Sequence, residues 1–127
     1  MIRQILLGTI ISAGEDGSAA GSVTSSRPIA GRILAVHADY SAGQAATTDL
    51  VIATTHAPVV TILTLADNKT DGWYYPRVQV HGVTGTALTL DGTRALVEPM
   101  PICDYVSATV AQGDGAETVA VTLIVEE

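Results

Sequence analysis

Thr118-Val119-Ala120-Val121-Thr122-Leu123-Ile124-Val125-Glu126 decides the fold class. Val119, Val121, Leu123 and Val125 fall on one face of an extended chain, while Thr118, Ala120, Thr122, Ile124 and Glu126 fall on the other. A period of two marks a β-strand, because successive side chains leave a pleated backbone on opposite sides. Further upstream, Arg32 to Tyr40 separates in the same way, with Leu34, Val36, Ala38 and Tyr40 opposite Ile33, Ala35, His37 and Asp39. The first of these sets is expected to face the core.

Short apolar or alternating runs recur along the whole chain, and none keeps a helical period through three turns. Strands are expected over Ile2–Ser12, Ser22–Ser26, Ile29–Tyr40, Asp49–Thr54, Val59–Leu65, Tyr75–His81, Ala87–Leu90, Arg94–Val97, Ile102–Ala111 and Thr118–Glu126. No internal repeat is evident. Between the runs, Gly14-Glu15-Asp16-Gly17, Asp67 to Gly72, Asp91-Gly92 and Gly113-Asp114-Gly115 supply turn residues that tolerate positive φ or cap with side-chain oxygens. Asp91-Gly92 is the best hairpin turn. The five prolines, Pro28, Pro58, Pro76, Pro99 and Pro101, are expected at or near strand ends, where a missing N–H breaks no ladder.

The chain has 127 residues, the size of one domain, and is 47% hydrophobic with no Phe, one Trp and four Tyr. Its core must therefore be built from Val, Ile, Leu and Ala, which suits strands. The expected fold is all-β, a single-domain antiparallel β-sandwich over residues 1–127, jelly-roll-like rather than immunoglobulin-like. Residues 1–28 are expected to form an N-terminal arm or exchanged strand followed by a flexible Gly/Ala/Ser-rich loop. A basic residue precedes the apolar run Ile5 to Ile11, but Gly8 and Thr9 interrupt it and no signal-peptide cleavage pattern follows, so it reads as a first strand.

Six Lys plus Arg against thirteen Asp plus Glu give a formal charge of −7, with the basic residues scattered. Neither nucleic acid nor anionic membrane is an expected partner, since both call for concentrated positive charge. No apolar stretch approaches the roughly 20 residues of a membrane-spanning helix.

Cys103 is the only cysteine, which excludes an intrachain disulfide, and no basic neighbour in sequence activates it. His37 and Asp39 share a strand face and are the best metal candidates, but no dense His/Glu cluster accompanies them. There is no Gly-x-Ser-x-Gly elbow, and the acids cluster in turns instead of pairing across a cleft. No catalytic residue, metal or cofactor is expected. The one conspicuous segment is Asp71-Gly72-Trp73-Tyr74-Tyr75-Pro76-Arg77, which gathers the residue types that dominate protein interfaces and sugar platforms.

Together with Thr47-Thr48-Asp49, Thr61-Ile62-Leu63-Thr64, Asp91-Gly92-Thr93-Arg94 and Ala111-Gln112-Gly113-Asp114, that segment resembles the small virion proteins of tailed bacteriophages over roughly residues 30 to 126. The resemblance implies a capsid decoration (cement) protein: a non-enzymatic β-sandwich, often a homotrimer, made in the host cytoplasm and seated on the capsid exterior across major capsid protein subunits. Interface candidates are then Trp73, Tyr74, Tyr75 and Arg77, with Ile5 and Leu7 from the first strand. The alternatives are a head-fibre, neck or tail-associated virion protein with a receptor- or carbohydrate-binding sandwich, and a small hydrolase built on His37, Asp39 and a further histidine.

Overall fold

The computed structural model describes residues 1–127 as ten strands without a helix: β1 (Ile2–Ile11), β2 (Ala19–Thr24), β3 (Ile29–Tyr40), β4 (Asp49–Thr54), β5 (Thr61–Leu65), β6 (Gly72–Tyr74), β7 (Arg77–Gln79), β8 (Val97–Asp104), β9 (Val106–Gly113) and β10 (Thr118–Glu126). They form a β-sandwich of two antiparallel sheets. One sheet runs β1-β10-β3-β8-β7 with β6 also paired to β3, and the other runs β2-β9-β4-β5. When β6 and β7 are left aside and the other eight strands are renumbered in chain order, the two sheets read 1-8-3-6 and 2-7-4-5.

β10 lies between β1 and β3, and Val119, Val121, Leu123 and Val125 are all fully buried. They meet Leu50, Ile52, Val106, Ala108 and Val110 of the second sheet in one core cluster of 18 buried residues. At about 25 cal/mol per Å² of apolar surface removed from water, this aliphatic layer is the main stabilising element.

Register shifts occur in four strand pairs, β1–β10, β10–β3, β2–β9 and β4–β5, and in β1 and β3 the bulge changes which side chains of a long strand face the core. Leu34 is an extra residue in β3, since Ile124 pairs with Ala35 while Val125 pairs with Ile33. The strand changes parity there. Ile29 and Ile33 face the core before the bulge and Val36, Ala38 and Tyr40 after it, so Ile33 is fully buried and Leu34 is not, the reverse of the expected faces. In β1 the extra residue is Leu7, between the Leu6–Thr122 and Gly8–Val121 pairs. Gly8 sits there at φ +145, and a Cβ would lie 2.5 Å from Val23 Cγ2 of the facing sheet.

The first 28 residues are built into the sandwich of their own chain, with β1 paired to β10 and β2 to β9. The Gly/Ala/Ser-rich segment is tied down by a reciprocal clasp rather than lying loose. Asp114 Oδ1 accepts the Gly17 N–H at 2.9 Å, and Asp16 Oδ1 accepts the Gly115 N–H at 3.0 Å. Beneath the clasp, buried Gln44 donates to Ser12 Oγ and accepts from the Asp114 N–H.

Three further expectations are corrected. The run expected over Ile102–Ala111 is two strands, broken at Tyr105, and β8 begins earlier, at Val97. Pro99 and Pro101 therefore lie inside a strand. β8 tolerates them because its first part pairs only with β7 and its last part only with β3, leaving an open side at each. The segments expected over Ala87–Leu90 and Arg94–Val97 form no ladder with each other; apart from Val97, which opens β8, they make only the isolated bridges His81–Ala87 and Thr89–Ala95.

Those bridges nevertheless disclose a structural repeat, each partner advancing by eight positions from the first bridge to the second (81 to 89, 87 to 95). At its hub, Val80 N–H donates to Leu96 O, Leu96 N–H to Leu88 O and Leu88 N–H to Val80 O, closing a ring of three backbone bonds. The lobe so formed has no core of its own, and every residue from Val83 to Val97 is exposed.

Two stability outcomes follow. Gly8→Ala is expected to cost ~2 kcal/mol in urea denaturation, partly recovered by adding Val23→Ala. Tyr40 is buried with a hydroxyl that has no partner, so Tyr40→Phe is expected to leave stability unchanged or raise it by about 1 kcal/mol in the same assay.

Candidate interaction surface

The outer face of the six-stranded sheet carries a cross-strand row, Leu6–Thr122–His37–Trp73, in which each residue is the direct ladder partner of the next. Leu6 is 67% exposed and Trp73 48%. The Trp73 ring tilts against that of His37, with centroids 4.8 Å apart and planes at 58°. Direct cross-strand neighbours on one face make this contact, so the indole is held in place while part of it faces solvent.

The Trp73–Arg77 segment divides its roles because β6 is only three residues long and alternates. Trp73 points outward. Tyr74 packs against the core, and its hydroxyl donates to Thr70 O at 2.7 Å. Tyr75 is exposed, and the Arg77 guanidinium lies 6.0 Å from its ring centroid. Arg77 Nη1 also donates to Leu34 O at 3.0 Å and to Pro76 O at 2.7 Å, fixing the side chain along the sheet. Of the expected interface residues, Trp73, Tyr75 and Arg77 are therefore presented to solvent. Ile5 and Leu7 are not: Leu7 is 5% exposed and Ile5 packs on the core, while Ile2, Leu6 and Ile11 take the outward positions.

A second exposed apolar region is the lobe, with Val83, Leu88, Leu90, Leu96 and Val97 at its surface. Its turn at Asp91-Gly92 has the expected chemistry: Asp91 Oδ1 accepts the N–H groups of Thr93 and Arg94, and Gly92 has φ +84. The carboxylate also bonds Arg94 Nε at 2.8 Å.

One polar site arises that no sequence motif announces. The loop after β4 brings His56 to the end of β8, where His56 Nδ1 lies 2.7 Å from Asp104 Oδ1 and the His56 N–H donates to Asp104 Oδ2 at 2.8 Å. Asp104 also accepts the Tyr105 N–H at 2.7 Å. These contacts hold its carboxyl down at about 2, the His56 bonds contributing most. Cys103 lines the same shallow groove but shares no hydrogen bond with His56, so Asp104 works as a staple between loop and strand. His37, His56 and His81 lie on β3, the β4–β5 loop and the lobe, and no three His, Cys, Asp or Glu side chains converge as a metal site would require. In comparisons with known proteins, no family model, curated protein or solved structure matches the chain.

The staple has a pH signature. Because Asp104 titrates at about 2 in the fold against an ordinary 3.8, its stabilising contribution is present above about pH 4 and is lost as pH falls toward 2. Urea midpoints measured across that range are expected to fall less steeply for Asp104→Asn than for the parent chain.

Proposed function

We propose that this chain is a non-enzymatic structural protein of a tailed-phage virion, a jelly-roll sandwich that seats on the capsid exterior and stabilises the shell by bridging major capsid protein subunits. The observation that carries this reading is the outward apolar and aromatic surface, in which Leu6 and Trp73 on the outer face of the larger sheet, Tyr75 between β6 and β7, and Leu88, Leu90 and Val97 on the lobe stand exposed. Side chains of these types are what protein interfaces bury. The strand orders 1-8-3-6 and 2-7-4-5 support the jelly roll, in which two Greek keys pack as facing sheets. The partners in this reading are major capsid protein and further copies of the chain, as the homotrimer the resemblance implies. Many modest contacts repeated over a shell sum to a large stabilisation.

Exposure of Trp73 and Tyr75 also favours a second reading, a head-fibre, neck or tail-associated virion protein that stacks a sugar ring on these aromatics.

Co-sedimentation with empty tailed-phage heads separates the two. Saturable binding is expected, weakened at least tenfold by Trp73→Ala/Tyr75→Ala, with the melting temperature of the variant lowered by only a few degrees, because Trp73 is half exposed and Tyr75 mostly so. No binding at any salt concentration, together with glycan-dependent shifts of the indole resonance, would replace the first reading by the second.

A further inference from the structure

We infer that two copies of this chain join through the free edge of β1, pairing Ile2–Leu6 antiparallel with the same segment of the second copy, so that two six-stranded sheets become one. The inference stands apart from the reading above: a two-fold edge pair is a different assembly from the homotrimer that the resemblance implies, and it needs no second protein.

Met1 and Glu127 exchange both main-chain bonds, each 2.8 Å. Antiparallel ladders alternate, so Arg3 and Ile5 are the next positions bonded to β10, while the N–H and C=O groups of Ile2, Gln4 and Leu6 point away from it. No other hydrogen bond reaches those groups. Farther along, Ala13 bridges Ala20 and Gly8 abuts Val23, so β2 covers the later part of β1 and the open edge ends near the bulge. An exposed edge of this kind is a template for another strand unless proline, a bulge or charge blunts it; Ile2–Leu6 holds no proline, lysine or bulge, and the charge of its Arg3 is paired with Glu127.

The edge is also complementary to itself. Pairing about Gln4 sets Gln4 opposite its own copy, Ile2 opposite the second copy's Leu6 and Leu6 opposite the second copy's Ile2. All three positions have backbone groups that face the edge, so the register satisfies both strands. On the outer face it brings together two pairs of aliphatic side chains that are 64% and 67% exposed in the single chain. The chain carries −7 overall, a repulsion between copies that salt screens. The one charged residue in the segment is Arg3, already bound to Glu127 at 3.0 Å.

Light scattering and sedimentation equilibrium on the full chain test this, with two substitutions. Gln4→Pro removes an N–H that faces the open edge and not β10, and Leu6→Lys places a charge on it. The parent is expected to show the mass of a pair and both variants that of a single chain, with dissociation constants raised at least tenfold. Leu6 is exposed, so Leu6→Lys keeps the test valid if Gln4→Pro misfolds. In a Cys103→Ser background, Gln4→Cys is expected to cross-link on mild oxidation, since facing Cα atoms in such a pair lie about 5.5 Å apart, within disulfide reach. Ile2→Cys alone is expected not to cross-link, because it faces Leu6. A parent chain that stays monomeric at millimolar concentration overturns the inference, as does a dimer or trimer that survives both edge substitutions. Capsid binding enters none of these readouts, so either proposal can fail without the other.

Discussion

The rest of the structure hangs on the ladder that β10 makes with β1 on one side and β3 on the other. That arrangement puts Val119, Val121, Leu123 and Val125 in the middle of the larger sheet, fully buried against the aliphatic strands of the smaller one. With no phenylalanine to fill space, the two layers pack through branched side chains, and the fit depends on parity. A one-residue slip in either neighbour of β10 would turn its whole apolar set to solvent. The bulges at Leu7 and Leu34 reset that parity part-way along, so that both halves of each long strand can face inward.

This explains where the sequence can be read and where it cannot. The bounds of β3, β4 and β10 follow from their turn residues and alternation, and the inward face of β10 follows from its period of two. In β3 the same period misplaces Ile33 and Leu34, because Ile33 to Val36 is apolar throughout and nothing in such a run marks the inserted residue. The same limit applies in β1, where Ile5 and Leu7 were expected on an interface and lie inward. Bulges are set by the partner strand, which sits far away in sequence.

Surface features were legible to a different degree. The Trp73–Arg77 segment stands out by composition alone, but which ring faces solvent depends on how three residues of β6 pair with β3. The His56–Asp104 staple links positions 48 residues apart and has no local signal. For the lobe, turn chemistry predicts the bend at Asp91-Gly92 correctly, but the flanking ladders do not form, since no second layer covers that part of the chain. Propensity for strand is realised only where a neighbouring surface buries it.

The lobe's three-bond ring sets the terms on which its surface can change. Val80, Leu88 and Leu96 each donate one backbone bond and accept one, so the hub is closed by main-chain atoms that any non-proline residue supplies. Side chains outside it are spared the packing demands that constrain the sandwich. This part of the molecule is therefore free to diversify, keeping its shape while its recognition chemistry drifts with whatever it touches.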